Sequence, residues 1–529
     1  MTGVKYIIKA MDVNMSVELI KGGYKMGVLS NIEPYEVFRF FEEICGIPHG
    51  SSDTKRISDY LVKFAADRDL RYIQDDSNNV IIFKDGTAGY EDSASVMLQG
   101  HMDMVCEKDA DCDIDFERDG LRLLLEDGVI SADGTTLGGD DGIAVAFALA
   151  ILDADDIPHP PLECVFTVDE EIGMLGAAAI DCSPLRSRIM LNLDSEDEGY
   201  LLVSCAGGAC ATCHIPVEYE NMTGELSVVK ITVDGLTGGH SGVEIIKQRA
   251  NADKQLVRLL YNIGNDVSYR LISIQGGLKD NAIPNKAEAY VGIDSDDVDN
   301  FVKCAEKYEK VLRHEFGSTD PGLAVRVETD LSDDLDSDNN AGDVQNDKTG
   351  RTVINRVMTE KSSDTVIRSL MMMPNGIQKM SNDIEGLVQT SLNLGILKTT
   401  EDEVTASFSV RSSVQSEKEN LIDQLRCVSV SAGGNLDVQG DYPAWEYRHD
   451  SPLRDIMVDV FEEQYGRKPV IQAIHAGVEC GLFAGKLPGL DCVSFGPDMK
   501  NIHTSRESMD VASVQRTWKY TLGILQRLK

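Results

Sequence analysis

The segment ASVMLQGHMDMV, residues 94–105, is an apolar run that ends in an imidazole, His101, and a carboxylate, Asp103. On a strand, residues two apart point to the same face. A histidine and an aspartate side by side at the end of a buried strand leave three readings: a metal site, an acid–base pair, or an ordinary hydrogen bond at the surface.

The flanking segments give the context. Upstream, SNIEPYEVFRFFEEICGIP (30–48) places Val37, Phe38, Phe41 and Ile44 on one helical stripe, with Ser30 or Asn31 able to cap it, and a second helix follows at 54–68. NNVIIFKD (78–85) reads as a strand. Downstream come the nearly all-apolar helix DGIAVAFALAILD (141–153) and the strands PLECVFTVDEE (161–171) and IMLNLDSEDEG (189–199). Strands alternating with helices predict an α/β fold, a mixed sheet covered by helices.

From about residue 207 the pattern changes to helices and strands grouped as two copies of a small α+β unit, about 207–330 and 351–441. Between them, LSDDLDSDNNAGDVQNDKTG (331–350) has six Asp, one Lys and no aromatic residue, which reads as a disordered acidic loop. Its match to a calcium-binding loop is out of register. After 442 the α/β pattern returns. The expected organisation is an extension at 1–26, a catalytic domain in two parts, 27–206 and 442–529, and an inserted domain of two similar units at 207–441.

A chain of 529 residues is too long for one ordinary core, and 42% apolar with 26% charged residues fits a globular protein. The formal net charge is −38 and no basic cluster occurs, which disfavours nucleic acid as a partner. No apolar run reaches membrane-spanning length, and the first residues lack an apolar core followed by a cleavage site. A cytoplasmic protein without membrane partners is expected. The twelve scattered cysteines read as free thiols. CATCH (210–214) matches the haem-attachment pattern, but its surroundings alternate like a strand and no export signal precedes it, so chance explains it.

Ligand-type residues stand beside strand ends at five places: His101 and Asp103, Asp140 in LGGDDGIA, Glu170 and Glu171 in FTVDEEIGM, Asp194 in LNLDSEDEG, and His503 in KNIHTSRES. Loops at the carboxyl ends of strands form the crevice of an open α/β sheet. Carboxylates gathered there repel one another unless cations neutralise them. Mixed histidine and carboxylate ligands suit zinc, with cobalt or manganese as alternatives. Singly, each residue has a plainer reading. Asp140 directly precedes an apolar helix and can be its cap, and DEE is commonly a solvated run. The set together is harder to dismiss.

In order along the chain, GHMDMV, TTLGGDDGIA, FTVDEEIGMLGA, LNLDSEDEG, GGHSG, NAIPNKAEA, HAGVECGLF and a late histidine resemble the aminoacyl-histidine dipeptidases (peptidase D). These belong to the co-catalytic zinc exopeptidases that also include carnosinase and tripeptidase. The resemblance runs over about 27–529. It implies a catalytic domain interrupted by a lid, two divalent metal ions, and hydrolysis of short unblocked peptides, with an Xaa-His preference carried by the family name. It assigns Asp140 to bridge the metals, His101 and Asp194 to one site, and Glu171 and His503 to the other. Glu170 becomes the general base and Asp103 the carboxylate that orients His101. His240 would steady the oxyanion, and Asn281 and Arg411 would contact substrate, Arg411 being suited to a terminal carboxylate. Relatives often take a lid histidine from a partner chain, whereas a doubled lid can supply it within one chain; a homodimer is the expectation. Other exopeptidases of the superfamily, such as a tripeptidase, and a catalytically silent metal-binding paralogue are the alternatives. His475, near Glu479 and Cys480, is left between a pocket role and a satisfied buried histidine.

Overall fold

The computed structural model describes residues 27–222, 226–329, 344–346, 352–354 and 356–529. The expected extension at 1–26 and the acidic segment 331–350, apart from 344–346, lie outside the described residues. The chain forms two compact units: one runs to Val203 and adds His449–Ile471 and Lys486–Lys529, and the other comprises Ser204–Arg448 and Gln472–Gly485.

In the first unit, four strands run parallel at the centre of a mixed eight-stranded sheet: Leu162–Thr167, Val96–His101, Ile189–Asn192 and Asp491–Ser494. Val80–Lys84 and Arg71–Gln74 continue it antiparallel beyond Leu162–Thr167. A parallel strand is covered on both faces, so its residues are apolar throughout rather than alternating. Every residue of VMLQGH and of LECVFT is accordingly buried. Gln99 and Thr167 among them join Asn192 in a ladder across three strands. Gln99 donates to Thr167 at 3.2 Å and accepts from Asn192 at 2.6 Å. This ladder pins the register in which Gln99 lies opposite Asn192.

The helix Gly139–Asp153 is buried from Gly139 to Leu152, as an all-round apolar helix must be. It packs against Tyr35–Cys45, whose stripe Val37, Phe38, Phe41 and Ile44 is buried as the periodicity predicts. Phe147 meets Trp518 of the closing helix Val511–Arg527 edge-on, with centroids 5.2 Å apart. Gly100 lets the strand approach this helix closely, since a Cβ there would collide with the Asp141 carboxylate and Ala144. A smaller sheet orders Met499–Lys500, Ser508–Asp510, Val129–Ala132 and Leu123–Glu126 as neighbours.

The second unit is built on a nine-stranded sheet whose pairings are antiparallel. One half orders Ala324–Glu328, Leu226–Asp234, Ala287–Asp294 and Tyr269–Gly276, with the helices Ala252–Ile263 and Val298–Phe316. The other orders Asn435–Tyr442, Gly207–Pro216, Glu403–Ser412 and Val388–Thr399, the last also paired with Gly376–Met380, with the helices Glu360–Met372 and Gln415–Ser431. The halves join where Gly276 lies opposite Leu397. Gly207–Pro216 takes the place in the second half that Leu226–Asp234 takes in the first, so a strand that precedes the rest of both halves in the chain completes the later one. The CATCH residues lie on this strand. Cys213 is in the core, and His214 lies 3.0 Å from Glu403 and 3.3 Å from Asp437. All twelve cysteines are free thiols.

Asp253, in the first turn of Ala252–Ile263, is buried with neither carboxylate oxygen hydrogen-bonded. Burial pushes its pKa well above 3.8. The folded chain therefore binds a proton that the unfolded chain releases, and stability declines as pH rises above the ordinary carboxyl value. Asp253→Asn removes that charge. In urea denaturation the variant should match wild type at about pH 4 and exceed it by about 1–3 kcal/mol at about pH 8. A difference independent of pH would contradict this.

Candidate metal centre

Parallel strands deliver their carboxyl ends to one edge of a sheet. His101 is the last residue of Val96–His101, Glu171 follows Leu162–Thr167, and Asp194 follows Ile189–Asn192. His503 lies between Met499–Lys500 and Ser508–Asp510, and Asp140 lies in the first turn of Gly139–Asp153. The five side chains converge. His101 Nε2 is 3.1 Å from Asp140 Oδ1 and 3.6 Å from Asp194 Oδ1. His503 Nε2 is 3.3 Å from Asp140 Oδ2 and 3.0 Å from Glu171 Oε2. Asp140 thus turns one oxygen to each imidazole.

Local backbone geometry makes this convergence. The helix is preceded by Gly138 with φ +66°, and Asp140 and Asp141 depart from helical angles. Asp140 is therefore aimed by a kinked first turn, where the sequence allowed a simple cap. After Leu162–Thr167, Asp169 adopts φ +55°, and the N–H groups of Gly173 and Met174 both donate to the Glu170 carbonyl. Strand alternation ends there, so the adjacent glutamates are free of it.

Asp103 is buried beneath His101. Its carboxylate accepts from Ser51 Oγ at 2.8 Å and from the Glu170 N–H at 3.1 Å. His101 Nδ1 lies 2.9 Å from the Asp103 carbonyl oxygen and 3.6 Å from its carboxylate. The main chain of Asp103 is thus the nearer partner of the ring, while its carboxylate ties the Glu170 backbone to the strand end.

The charge in this cluster is unbalanced. Burial pushes Asp194 up to about 6, with the charges of Asp140 and Glu171 adding to the effect and His101 opposing it. Burial likewise raises Asp141 well above the carboxylate range, reinforced by Asp194. Glu196 rises to about 7 through burial and the charges of Asp140 and Asp194. Burial would lower the His101 pKa, but hydrogen bonds with Asp103, Asp140 and Asp194 outweigh it and hold the ring well above its usual value. Hydrogen bonds with Asp140 and Glu171 raise His503 to about 10. Glu171 Oε1 and Asp141 Oδ1 are buried with no hydrogen-bond partner. Donor atoms of His101, Asp140 and Glu171, and of His101, Asp141 and Asp194, lie within 4.8 Å of one another, as the ligands of a cation do.

The remaining predicted residues form a group in the second unit. His240 pairs with Ala282 in a short ribbon, and Ser241 N–H donates to the Asn281 carbonyl at 2.8 Å, which brings His240 and Asn281 together. Arg411 Nη1 donates to Tyr442 Oη at 3.2 Å, and its Nε is buried without a partner. His475 Nε2 lies 2.7 Å from Ser391 Oγ, and Ser391 pairs with Arg411 across the sheet. Burial and the Arg411 charge push His475 down to about 3, and the same two causes lower His240.

Three residues stand out that sequence reasoning gave no definite role. Asp141 accepts from the His101 N–H at 3.3 Å. Its signal was the doubled aspartate at a helix start. His475 carried its signal in the HAGVECG motif. Glu507, whose carboxylate accepts main-chain N–H groups from the segment before Asp140, has no sequence signal beyond its nearness to His503.

A family model described as peptidase family M20/M25/M40 matches residues 97–527. The chain is similar to the cytosol non-specific dipeptidase of Escherichia coli (strain K12), 34% identical over 503 residues, which cover 95% of this chain and 99% of the relative. Among solved structures, it is similar to the aminoacylhistidine dipeptidase from Vibrio alginolyticus, with TM-score 0.84 and 33% identity over 94% of this chain and 98% of that one. A tripeptidase from Staphylococcus aureus subsp. aureus Mu50 shares the fold at TM-score 0.50 and 14% identity, covering 94% of this chain and 99% of that one.

The donor geometry predicts different losses at the two ends of the HMD motif. In equilibrium dialysis, His101→Ala should retain one divalent ion fewer per chain than wild type. Asp103→Ala, which leaves the main-chain carbonyl facing the ring, should keep the full complement, with any loss of affinity smaller than that of His101→Ala. Full retention at wild-type affinity by His101→Ala would remove that residue from the ligand set.

Proposed function

Because the chain belongs to peptidase family M20/M25/M40, we propose that it is a dipeptidase dependent on two divalent metal ions, cleaving short unblocked peptides. The observation that carries this reading is the Asp140 carboxylate, one oxygen facing His101 and the other His503, each imidazole joined by a further carboxylate. His101 and Asp194 would hold one ion, His503 and Glu171 the other, with Asp140 between them. Zinc fits this donor set best, and cobalt or manganese fit it also. Bound there, the ions supply the positive charge that polarises a peptide carbonyl and acidifies water.

The chain's own residues carry the proton and the substrate. Glu170, on the turn tied to Asp103, takes the proton of the attacking water and returns it to the leaving amine nitrogen as the C–N bond breaks. His240 donates to the oxygen that gains charge at the scissile carbonyl. Arg411 pairs with the free carboxylate of the peptide, its unpartnered Nε being one available donor, and Asn281 adds a contact. Water adds across one amide bond to leave one carboxylate and one amine, so the step needs no co-reactant.

Dipeptides are favoured over tripeptides because the relative at 34% identity is named a dipeptidase. The name of the Vibrio alginolyticus relative extends the panel to peptides ending in histidine. That the Escherichia coli relative is named for the cytosol supports a cytoplasmic site of action. A net charge of −38 argues against nucleic acid as a partner. A homodimer remains part of the reading, with sedimentation equilibrium as its test.

Hydrolysis of a dipeptide panel should vanish with chelator and return with zinc, cobalt or manganese; activity that survives thorough metal removal would sink the proposal. Glu170→Gln should lower kcat by about 10²–10⁴-fold while both ions stay bound. Loss of an ion from that variant would make Glu170 a ligand rather than the base.

A further inference from the structure

We propose that Glu507 is a positioning residue of the metal centre: its carboxylate clamps the segment that carries Asp140 to the loop that carries His503 and so sets the distance between those two side chains. The inference rests on the reading of the centre as a metal site and adds a residue that holds no metal itself.

Glu507 is 3% exposed, and four consecutive main-chain N–H groups donate to it. Oε2 accepts from Leu137 at 2.7 Å and Gly138 at 3.0 Å. Oε1 accepts from Gly139 at 2.8 Å and Asp140 at 3.3 Å. The left-handed Gly138 turns these N–H groups into one concave nest, of the kind that binds anions. Gly139 allows the approach, since a Cβ there would stand 3.2 Å from Glu507 Oε1 and 3.1 Å from Met499 Sδ. Both oxygens are engaged by main chain, so Glu507 steadies Asp140 from behind.

The other end of the clamp is equally fixed. Glu507 N–H donates to the Thr504 carbonyl at 3.1 Å, and Thr504 Oγ1 donates to the Asn501 carbonyl at 2.7 Å, which closes the loop holding His503. The next residue, Ser508, lies opposite Ser131, and Met509 lies opposite Ile130. The Asp140 segment and the His503 loop therefore leave one antiparallel ribbon, and the Glu507 carboxylate ties them together again beside the centre. A further carboxylate beside Asp140, Asp141, Glu171 and Asp194 adds unfavourable charge, which the four N–H groups offset. Glutamine keeps the length but turns an NH₂ group toward N–H donors.

The test compares wild type, Glu507→Gln and Glu507→Asp as full-length chains stripped with chelator. Zinc is titrated calorimetrically, the visible spectrum of the cobalt-loaded protein is recorded, and the Tm of each stripped chain is measured. Glu163→Gln is the control, because Glu163 is a buried carboxylate that accepts main-chain N–H groups of Arg186 and Ser187 at the opposite end of its strand. Both Gln variants should lose Tm. Only Glu507→Gln should weaken one of the two zinc ions about 10–100-fold and shift the cobalt spectrum. Glu507→Asp, which keeps the charge at a shorter reach, should fall between and carries the test if Glu507→Gln does not fold. Wild-type affinities and spectrum in the Glu507 variants would overturn the inference. A wild-type chain that takes up no zinc would instead overturn the metal reading on which it rests.

Discussion

A single buried carboxylate, Asp140, placed between the imidazoles of His101 and His503, is the interaction on which the site depends. Burying acidic groups together is unfavourable unless each is matched by positive charge or by hydrogen bonds. Around Asp140 both kinds of match are present. The imidazoles face it, Glu507 anchors its backbone, and the fully buried helix that begins beside it cannot shift without disturbing Phe147 and Trp518. The same requirement explains Gly100, which lets the His101 strand come close to that helix.

Neighbouring residues in the chain do different work here because the backbone stops alternating. Asp169, Gly138 and His503 all adopt positive φ, each at the point where a strand or loop delivers a functional side chain. Such conformations are uncommon for residues other than glycine and gather where function requires a side chain to be aimed. Glu170 and Glu171 follow one such turn, and Asp140 and Asp141 follow another. In each pair one member faces an imidazole, while the other is held through the main chain: the Glu170 N–H by Asp103, and Asp141 by the His101 N–H.

The second unit shows how a repeated architecture is completed from outside its own segment. Its two halves have matching strand orders, yet the later half borrows Gly207–Pro216 from the chain before the rest of both. That strand carries Gly208 opposite both Arg411 and Tyr442, and a Cβ on Gly208 would press on the Tyr442 ring at 2.6 Å. The glycine therefore makes room for the tyrosine that meets the Arg411 guanidinium. Packing and polar placement at Arg411 are thus settled by the same three strands.

Much of this was legible in the residues themselves. Apolar runs marked the buried strands, the 3.6-residue period marked Tyr35–Cys45, and ligand-type residues at strand ends marked the cluster, because burial and side-chain chemistry are local properties of a sequence. Which atoms meet was not local. The main-chain carbonyl of Asp103 lies nearer the His101 ring than its carboxylate does, Asp141 joins the cluster, and the Glu507 carboxylate spans 367 residues to reach the Asp140 N–H. Strand order is likewise invisible to periodicity, since a hydrophobic pattern says which face is buried and not which strand covers it. The sequence by itself determined the alternation of strands and helices and the chemical kinds of the donors. The tertiary structure alone decided their pairing, because distances between segments remote in the chain depend on the packing of the whole sheet and on backbone turns that no single residue type dictates.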